Sequence, residues 1–174
     1  SLELNEVAGY WNKVVEINNY QKTRFAKNII KELFNNVSGK KITILGWAFK
    51  KNTNDSRESA AIEIADILIE NGALINVYDP KVSSDRILSD LKEINNKKEK
   101  QNKNSITICN DPYDAIDKSH AIAIITEWEE FISLDWKKIY KIMMSPAKIF
   151  DGRNLLDSKY LKKLGFNIYS IGKS

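Results

Sequence analysis

The chain has 174 residues, 43% hydrophobic and 29% charged, with a net charge of +4. That is enough for one domain with a sizeable core and rules out a disordered chain. No stretch reaches the roughly 18 apolar residues of a membrane-spanning helix, and a single cysteine, Cys109, excludes an internal disulfide and fits a reducing, cytoplasmic setting.

Residues 2–36 read as one long helix. Leu4, Val7, Ala8, Trp11, Val14 and Val15 fall at helical spacing, and the stripe resumes after a polar break at Asn18 and Asn19 with Ala26, Ile29, Ile30, Leu33 and Phe34. Ser38-Gly39 is the first stop signal. At 1.5 Å per residue such a helix spans about 50 Å, more than this domain needs, so one half is expected to pack elsewhere. A hairpin broken near Asn18 is the alternative.

From Lys40 the pattern alternates strand and helix. Strands are predicted at 41–45, 74–78, 106–109, 121–126, 147–150 and 167–171, and helices at 58–71, 83–94, 112–118, 135–144 and 155–164. Gly72 closes the first of these helices, and the polar run 95–105 (NNKKEKQNKNS) reads as a structureless insertion. Such alternation predicts an α/β fold, a Rossmann-like, doubly wound parallel sheet of six strands in the order 3-2-1-4-5-6, preceded by the long helix.

Ligands of such sheets bind outside the carboxyl ends of the strands, where the strand order reverses. The loop after the first strand, 46–57, lacks the glycines of a dinucleotide turn and carries Lys50, Lys51 and Arg57 instead. Asp55 and Glu58 have capping-box spacing, which predicts a helix start at Asp55 and puts Arg57 in the first turn. A cation is unfavourable there, so either a salt bridge to Asp55 or Glu58, or a bound phosphate, is expected to offset it. Arg153 repeats the arrangement, after a strand and Asp151-Gly152 and just before a helix. Two arginines at one edge suggest a rim for a diphosphate, which the guanidinium fork suits.

Other chemistries find little support. The lone His120 and Cys109 allow no metal cluster, and no nucleophile–base set is present. Glu127, after the fourth strand, reads as structural rather than as a catalytic acid. The densest lysine run, 97–103, has no interleaved aromatics, which argues against a nucleic-acid surface. No signal-peptide pattern opens the chain, and Ser1 is not an initiator methionine, so a fragment is expected.

The segment GWAFKKNTNDSRES (46–59) resembles the G-x-A-F-K-x-x-T-x-D-x-R-E-S motif of the nucleotide-sugar dehydrogenases, the UDP-glucose/GDP-mannose dehydrogenase family. IFDGRNLLD (149–157) is similar to that family's second carboxyl-domain motif. EVAGYWNKVVEINNYQKTRFA (6–26), YDPKV (78–82), DPYDA (111–115) and TEW (126–128) resemble its eukaryotic UDP-glucose 6-dehydrogenase branch. The resemblance implies a long central, dimerising helix (1–38) and a carboxyl-terminal UDP-sugar-binding domain (39–174). It also implies a homo-oligomer formed through the helix, with no nucleic-acid or membrane partner. The whole enzyme would oxidise UDP-glucose to UDP-glucuronate with two NAD⁺, by means of an amino-terminal NAD domain and a cysteine nucleophile that this sequence does not contain, so the chain alone is expected to be inactive. Phe49 and Lys50 would contact the substrate, Arg153 its diphosphate or uridine side, and Arg57 the NAD. A domain for another nucleotide sugar (UDP-N-acetylmannosamine or GDP-mannose) and a purely oligomerising scaffold are the competing readings.

Overall fold

The structure, a computed structural model, describes residues 2–98 and 105–172. Helix α1 (Leu2–Glu32) is continuous through Asn18 and Asn19, so the hairpin alternative falls. It ends at Glu32, four residues short of the predicted end at 36. Phe34 and Asn35 adopt left-handed backbone angles, and the carbonyls left at this end are capped by two lysines from farther along the chain. Lys40 Nζ donates to Leu33 O at 2.7 Å and Lys148 Nζ donates to Glu32 O. Both ammonium groups also sit over the Phe34 ring. Cations at this end of a helix complement its negative dipole terminus.

Six strands follow: β1 (Lys41–Leu45), β2 (Leu74–Tyr78), β3 (Ile106–Ile108), β4 (Ala121–Ile124), β5 (Lys148–Asp151) and β6 (Asn167–Ser170). All pair in parallel, in the order β3-β2-β1-β4-β5-β6. The central strands are buried along their length, as apolar runs covered on both faces must be. The intervening helices are α2 (Ala60–Glu70), α3 (Ser84–Lys98), α4 (Pro112–Ile116), α5 (Trp136–Ile142) and α6 (Ser158–Leu164), with a 3₁₀ turn at Glu129–Phe131 that the sequence pattern did not show. Helix α3 runs four residues past the predicted end, so 95–98 are helical rather than structureless. The rest of that predicted loop, up to 104, lies outside the described residues.

The end of α1 belongs to this sheet's core: Ala26, Ile29 and Leu33 are buried with Ile42, Leu68 and Phe150. Phe25 meets Phe150 edge-on at 6.5 Å, and Phe150 stacks on Tyr169 at 4.9 Å. Farther back along α1, Ile17 and Tyr20 stay 58% and 65% exposed. Among the described residues no helix is long and apolar enough to cross a membrane.

At the end of β1 the chain must turn under the β4 loop. Gly46 has φ +94°, and a Cβ there would lie 2.4 Å from Thr126 Cβ. Gly39 also has positive φ (+69°) but faces open space. Gly46→Ala is therefore expected to destabilise the fold by about 3 kcal/mol or more. Gly39→Ala should cost only the backbone strain of about 1–2 kcal/mol. Urea denaturation midpoints of the two variants, compared with the parent chain, check the difference.

Candidate functional site

The loop from β1 to α2 enters the protein before it leaves it. Trp47 is fully buried and its Nε1 donates to Asp90 Oδ2 at 3.0 Å. Trp47 N and Ala48 N both donate to Asp79 Oδ2, at 2.6 and 2.9 Å. Ala48 O accepts from the Thr126 hydroxyl at 2.6 Å. With 47 and 48 held this way, the chain emerges at Phe49 and Lys50, both exposed. Phe49 N donates to Asp55 O at 2.8 Å, which closes the turn. The Lys50 ammonium has no partner among the described residues, whereas Lys51 pairs with Glu129 at 3.1 Å.

The predicted helix start at Asp55 is wrong, and with it the placing of Arg57 in a first helical turn. The Asp55 carboxylate accepts from Arg57 N and Nε (3.0 Å each) and Nη2 (2.8 Å), so it is not free to cap a helix. Glu58 takes a left-handed φ of 62°, and Ser59 is the cap, accepting from Ala61 N. Of the two expected offsets for the Arg57 charge, the structure has the salt bridge to Asp55. Arg57 still projects from the surface at a recess of about 420 Å³ lined by Thr53, Asn54, Asp55, Ser56 and Arg86. Arg86 Nε donates to Ser56 Oγ at 2.9 Å and its Nη2 pairs with buried Asp90 at 2.9 Å.

Arg153 is likewise a loop residue. Helix α6 starts at Ser158, capped by Asp157, not at Leu155, so no helix end faces Arg153. Buried Asp151 shapes this loop instead, its Oδ1 accepting from Arg153 N at 3.0 Å and its Oδ2 from Leu156 N at 2.9 Å. The Arg153 side chain turns toward the β1 loop. Its Nε donates to Ile125 O at 2.5 Å and its Nη2 to Phe49 O at 3.3 Å. Glu127 Oε2 lies 3.2 Å from Nε. The structure thus joins Phe49 to Arg153, with Lys50 next to Phe49 in the chain, and leaves Arg57 on the α3 side of the same loop.

Other titratable groups are structural. Burial pushes the Cys109 thiol up, away from the reactive thiolate. Burial lowers the His120 pKa, and its Nδ1 accepts from Lys41 N at the foot of the sheet, opposite the ligand edge. Burial and then the hydrogen bond to Glu130 at 2.7 Å hold the Tyr78 phenol well above its ordinary range. Among the described residues no cluster of three potential metal ligands occurs.

Sequence reasoning missed Asp79. Its Oδ2 takes Trp47 N, Ala48 N and Trp128 Nε1 (3.1 Å), and its Oδ1 takes Lys81 N and Val82 N. The available signal was an acidic residue directly after a strand, read only as a terminator. In dinucleotide-binding sheets an acidic residue near this position holds a ribose hydroxyl. Here both oxygens are already taken. Together with the missing glycine turn, this shows that the ligand edge is not built as a dinucleotide cradle.

The class that follows is a Rossmann-like domain whose ligand edge presents cationic and aromatic side chains from a pinned loop. A family model described as "UDP-glucose/GDP-mannose dehydrogenase family, UDP binding domain" matches residues 43–158, a span that includes both arginine loops. The chain belongs to the UDP-glucose/GDP-mannose dehydrogenase family. It is 50% identical over 175 residues to a UDP-glucose 6-dehydrogenase of Drosophila melanogaster, covering 99% of this chain and 37% of that protein. It is 43% identical to UDP-glucose 6-dehydrogenase 1 of Arabidopsis thaliana, covering 98% of this chain and 37% of that protein. The chain therefore spans little more than a third of the length of these relatives. Among solved structures it resembles a UDP-glucose dehydrogenase from Pyrobaculum islandicum (26% identity, TM-score 0.62, 88% of this chain and 31% of that one). An NDP-N-acetyl-D-galactosaminuronic acid dehydrogenase from Methanosarcina mazei shares the fold (22% identity, TM-score 0.69, 90% of this chain and 29% of that one).

The Asp55–Arg57 pair has a pH signature. The guanidinium hydrogen bonds hold the Asp55 carboxyl at about 2, below its ordinary value of about 3.9. A folded pKa lowered in this way stabilises the loop fully above the unfolded value, and the contribution is lost as pH falls toward about 2. A carboxyl NMR titration should give an Asp55 midpoint near 2 in the parent and a return toward the ordinary value in Arg57→Ala.

Proposed function

We propose that the chain is the substrate-gripping, carboxyl-terminal part of a UDP-glucose 6-dehydrogenase, an enzyme that converts UDP-glucose to UDP-glucuronate. The observation that carries this reading is the bond from Arg153 Nη2 to Phe49 O, which joins the two family motifs across 104 positions of sequence. It sets a guanidinium beside the loop that bears Lys50, whose ammonium has no partner among the described residues. Three of the five N–H groups of Arg153, both on Nη1 and one on Nη2, are not engaged by described residues and form an edge for a bidentate phosphate. Phe49, 49% exposed, offers a ring face or edge to the sugar or base. The reaction takes the C6 alcohol to a carboxylate in two hydride transfers, with water supplying the second oxygen. NAD⁺, held mainly by other parts of the enzyme, would supply the hydride acceptor. Arg57, on the other side of the loop, reaches toward that cofactor. The competing scaffold reading is disfavoured by a built and charged ligand edge. We place the enzyme in the cytoplasm, since the single, free Cys109 of this chain fits a reducing compartment.

The part of α1 that leaves the core forms the oligomer contact in this reading. Trp11, Ile17 and Tyr20 are exposed on the part of α1 that the domain does not cover, and a two-fold pairing of such helices is the simplest closed arrangement. Charged replacements at Trp11 and Val14 should shift sedimentation toward monomer, at concentrations of the order of tens of micromolar. A parent chain that is already monomeric there would count against the pairing.

Ligand binding separates the arginines. Charge-assisted hydrogen bonds contribute about 1.5–3 kcal/mol each, so Arg153→Ala should weaken UDP binding about ten-fold or more. Arg153→Lys should recover part of the loss, because a point charge lacks the fork. Arg57→Ala should leave UDP affinity nearly intact. Calorimetric titration of UDP reads all three, and equal losses at Arg57 and Arg153 would break the assignment. The 174-residue chain alone should produce no NADH from UDP-glucose and NAD⁺ above a buffer control.

A further inference from the structure

Glu127 stands on the loop after β4, directly behind Thr126. Its Oε2 is enclosed and receives no hydrogen bond, although Arg153 Nε lies only 3.2 Å away. The two facts are consistent, because the single hydrogen on Nε is directed to Ile125 O at 2.5 Å. The carboxylate therefore meets the guanidinium by charge and proximity alone. An enclosed carboxylate oxygen without a donor is unfavourable by itself. Yet the side chain is folded inward, only 31% exposed, on an open edge where water is within reach.

Its effect on Arg153 gives the reason. Arginine is a long side chain with much rotamer freedom to lose on binding. Here Ile125 O and Glu127 Oε2 bracket Nε, and Phe49 O takes one hydrogen of Nη2. The inner edge of the guanidinium is thereby fixed and its outer edge points away from the protein acceptors.

We propose that Glu127 is a positioning residue for Arg153, holding the guanidinium so that its outer Nη1–Nη2 edge is presented to the ligand's diphosphate before the ligand arrives. The proposal rests on the reading of Arg153 as a diphosphate contact. A second effect opposes it, since the negative charge of Glu127 repels a diphosphate. The sign of the change on removing Glu127 decides which effect dominates.

The test is calorimetric titration of UDP into the full-length protein carrying Glu127→Ala, Glu127→Gln, Arg153→Ala or the Glu127→Ala/Arg153→Ala pair, with the unfolding temperature of each recorded. Positioning predicts that Glu127→Ala binds UDP about 3–10-fold more weakly with little change in unfolding temperature. Glu127→Gln, which keeps the shape but removes the charge, should bind UDP about as weakly as Glu127→Ala, and wild-type affinity there overturns the role. In the Arg153→Ala background Glu127→Ala should add no further loss, as expected of residues acting through one group. Wild-type or tighter binding by Glu127→Ala, alongside a loss in Arg153→Ala, overturns the positioning role alone. The same loss from Glu127→Ala with and without Arg153 also overturns it. Undiminished binding by Arg153→Ala overturns the diphosphate reading and this proposal with it. Should Glu127→Ala fail to fold, Glu127→Asp carries the test. It keeps the charge but loses the reach, so weaker binding is expected and wild-type affinity overturns the role.

Discussion

One carboxylate governs the ligand edge. Asp79, at the end of β2, collects the amides of Trp47 and Ala48, the indole of Trp128 and the amides of Lys81 and Val82. Three loops, those after β1, β2 and β4, are thereby held to a single side chain. Without it several donors would face a partly buried space with no acceptor, at a cost of about 1–3 kcal/mol each. Its functional consequence is rigidity. Phe49 and Lys50 leave the protein directly after two pinned residues, so little loop entropy remains to be lost when a ligand arrives.

A second fastening comes from α3. Buried Asp90 accepts from the Trp47 indole and pairs with Arg86, and Arg86 reaches on to Ser56. An ion pair with one partner buried is poor evidence of net stability, because desolvation of Asp90 offsets much of its attraction. Its effect here is on geometry: it ties both ends of the long β1 loop to one helix. Arg153 fastens the opposite side, from β5, by way of Phe49 O. The loop between Gly46 and Ser59 is thus held from three directions and closed on itself by Phe49 N and Asp55 O. A loop of this length would otherwise be among the mobile parts of the fold.

The sheet was legible in the sequence because each strand is a short apolar run bounded by turn residues. KITIL and LINVY came out residue for residue as β1 and β2. Helix starts were not, and the reason is tertiary. Asp55 has capping chemistry at capping spacing, but its oxygens are engaged by Arg57, so the helix waits for Ser59. In the last βα loop Asp157, not a position before Leu155, has the free carboxylate. Neither arginine lies in a first helical turn, since α2 starts at Ala60 and α6 at Ser158, so the helix-dipole argument for them fails, and the motif resemblance marks the same residues without it. Asp79 and Glu127 stayed illegible as site-builders because their partners lie far along the chain. For Asp79 the separations are 31, 32 and 49 positions, which no local pattern encodes.

The comparison with a dinucleotide cradle shows how one topology carries two differently built ligand edges. A glycine-rich turn brings backbone N–H groups and a helix start to the phosphates, and the glycines are needed because the ligand itself approaches the backbone. In this chain the same switch point carries long cationic side chains on a loop, and side chains give directional contacts only if their base is immobile. The glycines have changed purpose accordingly. Gly46 lets Thr126 close over the β1 end, and Gly152 lets the β5 loop pass 2.8 Å from Ile124 O, measured from where its Cβ would stand. Neither makes room for a ligand; both allow protein to approach protein. In this sheet the close contacts that glycine permits hold the loops, and the loops hold the charges.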